Sequence, residues 1–126
     1  MPGHDDEVRV IRADQRTAGP PTAGMDRQEA FTTETMWAGY ARTKPGMMSG
    51  WHHHGDYESA IYVLSGSLHM EFGPSGTQTV VAGPGDFVFV AKGAVHRESN
   101  PSNEPADIAV VRAGRGESNV NVDGPA

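Results

Sequence analysis

Short segments in which apolar and polar residues alternate recur along the chain. At residues 67–72, for example, Leu68, Met70 and Phe72 alternate with polar neighbours, the period of two that is typical of a strand with one buried face. Glycine and proline, 16 and 9 of the 126 residues, separate these segments at short intervals. The pattern predicts strands at residues 7–11, 35–43, 49–54, 59–64, 67–72, 78–82, 86–90, 96–98 and 108–112. Many short strands with frequent turns predict an all-β sandwich or barrel.

No segment has a convincing helical periodicity, and residues 26–31 are expected to form one helical turn at most. The length suits a single domain, 1–126, with one modest core at about residues 35–112. Residues 1–6 and 113–126 are mostly polar with several glycines, so we expect a flexible N-terminal arm and a flexible C-terminal tail.

Composition and charge exclude several classes of function. Sixteen acidic against ten basic side chains give a net charge of -6, which argues against binding nucleic acid or an anionic membrane through bulk charge. No apolar run approaches the roughly 20 residues that span a bilayer, and the N-terminus lacks the pattern of a secretory signal. We therefore expect a cytoplasmic protein. Because cysteine is absent, disulfides, thiolate zinc sites and cysteine nucleophiles are excluded.

A run of three histidines carries the strongest chemical signal in the sequence. Residues two apart on a strand face the same side, so His52 and His54 can direct their imidazoles at one point while His53 faces outward or towards another subunit. The alternatives are a solvated loop or the remnant of a purification tag. The run is too short for a tag and lies inside strand-like sequence, which favours a paired site.

A carboxylate and a further histidine complete this candidate site. Glu58 begins the next predicted strand after a short turn, where its carboxylate can reach the two imidazoles; Asp56 is the second choice. Two imidazoles and a carboxylate suit a first-row transition metal ion. His96 is the only plausible histidine for a fourth ligand, and we expect it to come from a distant strand and tie the two halves of the barrel together.

Two segments resemble the paired motifs of the cupin superfamily, G-x5-H-x-H-x3/4-E-x6-G and G-x5-P-x-G-x2-H-x3-N. The matching residues are Gly46, His52, His54 and Glu58 in the first motif and Gly85, Gly93, His96 and Asn100 in the second. The two motifs occur in the right order with a short gap, so the resemblance is specific for the fold. It implies a single-domain double-stranded β-helix, the jelly-roll or cupin barrel.

The sequence departs from these motifs in two places. Seven residues, not six, separate Glu58 from Gly66, so Ser59 has the spacing that is usual for the carboxylate. We take Glu58 as the ligand, because serine is a poor ligand for a divalent metal and a small bulge would absorb the extra residue. Ala91 replaces the proline of the second motif, which removes turn rigidity but no ligand.

The resemblance implies one divalent transition-metal ion per chain (Fe, Mn, Ni, Co, Cu or Zn), with two coordination positions left open. His52, His54, Glu58 and His96 would be its ligands. The resemblance also implies an apolar, aromatic lumen that binds a small molecule, and a homodimer. We expect the pocket to be lined by Met48, Met70, Phe72, Phe87 and Phe89.

The fold alone does not fix the reaction. The leading prediction is a metal-dependent oxygenase, similar to a dioxygenase, that acts on a small organic molecule bound in the barrel. A non-redox isomerase, epimerase or lyase is an alternative; it needs a base in the lumen, for which Tyr62, His53 and Glu98 are the candidates. The third possibility is a cupin that binds a small molecule without turnover.

Overall fold

The computed structural model describes residues 7–19, 22–116 and 120–125. Within this part of the chain there are eleven β-strands and two short 3-10 turns, at Ala13–Gln15 and Pro74–Gly76. The strands are β1 Thr17–Ala18, β2 Met25–Thr32, β3 Met36–Thr43, β4 His52–His53, β5 Glu58–Ser65, β6 Leu68–Phe72, β7 Gln78–Ala82, β8 Phe87–Val90, β9 His96–Ser99, β10 Ala106–Ala113 and β11 Val120–Asn121.

The strands form two antiparallel sheets. One has six strands in the order β1-β2-β3-β10-β5-β8, and the other has five in the order β11-β4-β9-β6-β7. Neighbouring strands are often distant in sequence, since β10 pairs with both β3 and β5. The chain therefore passes repeatedly from one sheet to the other and builds a double-stranded β-helix. The prediction of an all-β, single-domain barrel of this type is confirmed.

The core lies between the two sheets. On β5, Ser59, Ile61 and Val63 are buried and the residues between them are exposed, as expected for a strand with one face on the interior. Leu68 and Met70 on β6 contribute from the other sheet. The buried apolar residues of the cluster are Met25, Trp37, Ala41, Met47, Ile61, Val63, Leu68, Met70, Ala82, Val90, Ile108 and Val110.

Gly66 makes the tight connection between β5 in one sheet and β6 in the other. Its φ angle is 75°, in the left-handed region that side chains disfavour. A β-carbon there would also lie 2.6 Å from the carbonyl oxygen of Pro105. The last glycine of the first motif is thus required by the crossing between sheets.

The N-terminal part of the chain differs from the prediction. Residues 26–31, predicted as a helical turn at most, lie in β2, where Met25 and Arg27 are buried and Asp26 is exposed. Pairing of β2 with β3 along most of its length explains the difference. Residues 7–11 form no strand, so that prediction is wrong, and Val8 is almost fully exposed. The edge of β2 is paired with β1 instead.

The two chain ends are described unequally. Residues 1–6, the expected N-terminal arm, lie outside the described residues. Part of the expected C-terminal tail pairs with the barrel, since Val120 lies opposite His53 and Asn121 opposite His52. In the described part of the chain, no helix has the length and apolar character needed to cross a membrane.

We expect core packing between the sheets to dominate the stability of the barrel. Leu68 is 1% exposed and Leu64 is 50% exposed, so they are a matched pair for the same substitution. Leu68→Ala should lower the free energy of unfolding by about 2–5 kcal/mol, and Leu64→Ala by less than about 1 kcal/mol. Urea denaturation followed by tryptophan fluorescence measures both values. Equal losses for the two variants would contradict the placement of β6 in the core.

Candidate metal centre

The three candidate histidines lie on, or directly after, two strands of the five-stranded sheet. His52 and His54 are buried and His53 between them is half-buried, which is the alternation expected at β4. His96 opens β9 and lies directly opposite His52 in the antiparallel pairing. β4 and β9 are neighbours in one sheet, so the expectation that His96 ties the two halves of the barrel together is wrong.

The three buried imidazoles converge. The ring centroids of His52, His54 and His96 lie 4.5–5.3 Å apart. One ring nitrogen of each lies within 4.8 Å of the corresponding nitrogen of the other two. A single cation with bonds of about 2 Å to each nitrogen fits among atoms at these separations.

Backbone carbonyls fix the orientation of two of the rings. Nδ1 of His52 donates to the carbonyl oxygen of Gly50 at 3.0 Å, and Nδ1 of His96 donates to that of Ala94 at 2.9 Å. A carbonyl oxygen only accepts, so Nδ1 carries the hydrogen in both neutral rings. The lone pair is therefore on Nε2, and an outer hydrogen bond of this kind commonly orients a metal-binding histidine.

Glu98 is the carboxylate beside these histidines. It lies two residues after His96 on β9, on the same face, and is 2% exposed. Its two oxygens lie 3.2 Å from Nε2 of His52 and 3.4 Å from Nε2 of His96, and Ser49 donates its hydroxyl at 3.2 Å. Among the described residues, neither Nε2 atom has a partner with hydrogen-bonding geometry. Acceptor atoms thus face one another across a buried space, an arrangement that is stable only with a proton or a metal cation between them.

The pKa shifts of Glu98 and His96 agree with this geometry. Burial alone would raise the pKa of Glu98, but the adjacent imidazoles of His52 and His96 hold that pKa well below its usual value. Burial alone would lower the pKa of His96, but Glu98 beside it raises that pKa on balance. The carboxylate therefore keeps its negative charge and attracts positive charge to the histidines.

The structure does not bring Glu58 to the histidines. Glu58 is exposed at the start of β5, opposite Ala113, and the burial alternates regularly from there through Ser59. The register of β5 against β10 shifts at residues 63–65, which leaves Glu58 on the outer face, away from the histidines. The carboxylate that lies beside the histidines is Glu98. Asp56, the second choice, is exposed in the preceding turn. The signal that would have identified Glu98 is its spacing of two from His96, which repeats the spacing of the first two histidines.

Buried arginines lie near the same interior. Arg112 on β10 is 2% exposed, and its guanidinium lies 4.6 Å from the ring centroid of Trp37. Burial and the nearby Arg27 lower the pKa of Arg112 to about 9, so it stays positively charged at neutral pH. Its charge also acts on the His96 imidazole and on the Glu98 carboxylate.

A cavity of about 540 Å³ adjoins the histidines. Its wall includes Met70, Phe72 and His96, and residues of the edge strands β7 and β8 form most of the rest. Phe87 and Phe89 also line it, but both rings are largely exposed, with Phe87 at 74%. We infer that these two phenylalanines form the rim of the opening.

Three other predicted site residues lie elsewhere. Met48 is exposed and is not part of the cavity wall, so its assignment to the pocket is wrong. Tyr62 lies on the outer face of β5, with its ring centroid 4.8 Å from that of Phe87. Nδ1 of His53 accepts a hydrogen bond from the Gly55 amide at 3.0 Å. None of Tyr62, His53 and Glu98 lines the cavity, and of these base candidates Glu98 has its oxygens within 3.4 Å of the histidine nitrogens.

Comparison with known proteins places the chain in a family. A family model described as the cupin domain matches residues 39–112, more than half of the chain. No curated protein sequence matches significantly.

Solved structures share the fold at low sequence identity. An uncharacterized conserved protein with a double-stranded beta-helix domain from Klebsiella pneumoniae subsp. pneumoniae MGH 78578 is 21% identical, with a TM-score of 0.73 over 92% of this chain and 98% of that one. The polyketide cyclase RemF from Streptomyces resistomycificus is 19% identical, with a TM-score of 0.74 over 92% and 86%. KdgF from Halomonas sp. is 16% identical, with a TM-score of 0.69 over 86% and 96%.

These neighbours show the fold and no more. The family model spans the strands that carry both histidine motifs, and the barrel topology is that of the solved neighbours. The chain belongs to the cupin family.

Proposed function

We propose that this cupin holds one divalent transition-metal ion on His52, His54, His96 and Glu98. The observation that carries the proposal is the convergence of acceptor atoms, since two unpartnered Nε2 atoms and a carboxylate meet in a buried space. Nitrogen and oxygen ligands suit Fe, Mn, Ni, Co, Cu or Zn. An ion held there would supply Lewis acidity or electron transfer.

We propose further that the reaction is of the oxygenase type, on a small organic molecule in the cavity. Among the described residues that line the cavity, the titratable side chains are His96 and Asp86. Asp86 is exposed and accepts the Gly83 amide of its own turn at 2.9 Å, so it is a poor general base for the cavity. A cavity with apolar walls and few acids or bases favours chemistry supplied by an ion over proton transfer by the protein.

A second candidate function rests on Glu98. If the ion takes only the three histidines, the carboxylate beside them is free to move a proton, as an isomerase, epimerase or lyase requires. The similarity to a polyketide cyclase supports this candidate only through the fold. Binding of a small molecule without turnover is the third candidate.

We also propose a homodimer. β8 is an edge strand, and Phe87 and Phe89 expose large apolar surfaces there beside Tyr62. An exposed apolar edge is commonly covered by a partner subunit. A cytoplasmic location stays a prediction.

His96→Ala should remove most of the bound metal, because it deletes one of the converging nitrogens. His69→Ala is the matched control, since His69 is half-buried on β6 and contacts Ser67 rather than the cluster. Elemental analysis after dialysis measures the metal content, and circular dichroism checks that both variants keep their strands. Full metal content in the folded His96 variant would contradict the site.

A pair of isosteric substitutions distinguishes the two candidate carboxylates. Glu98→Gln should weaken metal affinity by about tenfold or more, the scale of losses when a partner of a metal site is removed. Glu58→Gln should leave the affinity unchanged, because Glu58 is exposed away from the histidines. Competition with a chromogenic chelator measures both affinities. The opposite ranking would restore Glu58 as the ligand.

The oxygenase proposal is tested by oxygen uptake. The protein is purified without oxygen, loaded in turn with Fe(II), Mn, Ni, Co, Cu and Zn, and assayed against 1,3-diketones, catechols and flavonols. We expect uptake with a redox-active metal in the wild type and none in the His96→Ala variant. If protein shown to be loaded takes up no oxygen with any of the metals, the oxygenase proposal is contradicted. The non-redox enzyme and the binding protein then remain as candidates.

A further inference from the structure

Unpartnered hydrogen-bond donors lie on the inner wall that faces the histidines. Arg112 is 2% exposed, and its Nε and Nη1 atoms have no hydrogen-bond partner. Ser59 on the neighbouring strand pairs with Arg112 in register, is buried, and its hydroxyl also has no partner. Buried polar groups without partners are uncommon and costly, so two adjacent ones call for an explanation.

Stacking on Trp37 does not provide that explanation. The contact at 4.6 Å covers one face of the guanidinium of Arg112 and stabilises its positive charge. The N–H groups of a guanidinium point outward in its plane, so a ring above the plane leaves them unsatisfied. An acceptor in the plane of the guanidinium is still needed.

The position of these donors suits a bound molecule. Arg112, Ser59 and Val90 form a row across β10, β5 and β8, in which adjacent strands are about 4.8 Å apart. Val90 lines the cavity. The row belongs to the six-stranded sheet, whereas the histidines and Glu98 belong to the five-stranded one. Because packed sheets are about 10 Å apart, one small molecule can contact both walls.

The charges of the interior indicate what kind of molecule that is. Apart from histidines, the buried ionisable residues in the described part of the chain are Arg27, Arg112, Glu98 and Tyr57, and a tyrosine is neutral at pH 7. With a divalent cation bound, the cation and the guanidinium of Arg112 would both depend on the carboxylate of Glu98 for negative charge. Excess charge of one sign is unfavourable in a buried site. Ser59, at the spacing where the first motif carries a carboxylate, adds no negative charge.

We infer that the ligand of this barrel is an organic anion, and that Arg112 and Ser59 bind its negatively charged oxygen. The oxygen is that of a carboxylate or an enolate, and the apolar remainder of the ligand occupies the cavity. The location of the ligand rests on the proposed metal site, whereas its charge and its dependence on Arg112 do not. Arg112 is therefore assigned to substrate binding and selection.

Benzoate and benzamide test the inference, because they have the same shape and differ in charge. Isothermal titration calorimetry is performed on the full chain, both loaded with Zn and metal-free. We expect the wild type to bind benzoate at least about tenfold more tightly than benzamide, the scale of one charge-assisted hydrogen bond. Arg112→Gln should abolish this preference, and Arg112→Lys should retain part of it. Elemental analysis confirms that the loaded samples have equal metal content.

The two proposals fail in different ways. A wild type that retains no metal overturns the metal site, while the metal-free titrations still test Arg112. Equal binding of benzoate and benzamide by the wild type overturns the inference, whatever the metal content. A folded Arg112→Gln variant that keeps the full preference for benzoate over benzamide also overturns the inference. If that variant does not fold, Ser59→Ala serves instead: a loss of benzoate affinity supports the inference, and an unchanged preference overturns it.

Discussion

Acceptor atoms gathered in a buried space are the constraint on which the interior of this barrel depends. The Nε2 atoms of His52 and His96 face the oxygens of Glu98. Their Nδ1 atoms donate to backbone carbonyls just before β4 and β9. The lone pairs of these acceptor atoms repel one another unless a positive charge lies between them. In the absence of metal, Glu98 raises the pKa of His96 and so favours a proton on that imidazole. A divalent cation could accept lone pairs from several of these atoms at once, whereas a proton bridges only two. The arrangement therefore favours metal binding.

Strand pairing brings these groups together. His52 lies directly opposite His96, and Glu98 follows on the same face of β9. The register of the strands thus aligns side chains that are more than forty residues apart in the sequence. Asn100 holds the turn that follows β9. Its buried side chain donates to the carbonyl oxygen of Glu104 at 2.7 Å and accepts from Ser102. The end of β9 is thereby fixed, and with it the position of the histidine and carboxylate that precede it.

Local patterns predicted much of this structure and missed what depends on distant pairing. Alternation located β5 and β6 closely, because each has one face in the core. It failed at residues 26–31, where a strand forms by pairing with β3, and at residues 7–11, where an alternating segment has no partner in the described chain. Spacing identified the histidines. It did not find the carboxylate beside them, because the irregularity of β5 lies at residues 63–65 and only the three-dimensional register shows that Glu58 is on the outer face.

The position of the carboxylate has a consequence for the ligand. A carboxylate at Ser59 would stand on the six-stranded sheet, next to Arg112 in the pairing, and would neutralise that guanidinium. With Glu98 on the five-stranded sheet instead, the negative charge lies with the histidines, and Arg112 keeps two nitrogens without partners. One wall then favours a cation and the other an anion. A small anionic molecule with an apolar body satisfies both walls and the cavity between the edge strands, whereas a neutral one leaves the guanidinium unpaired.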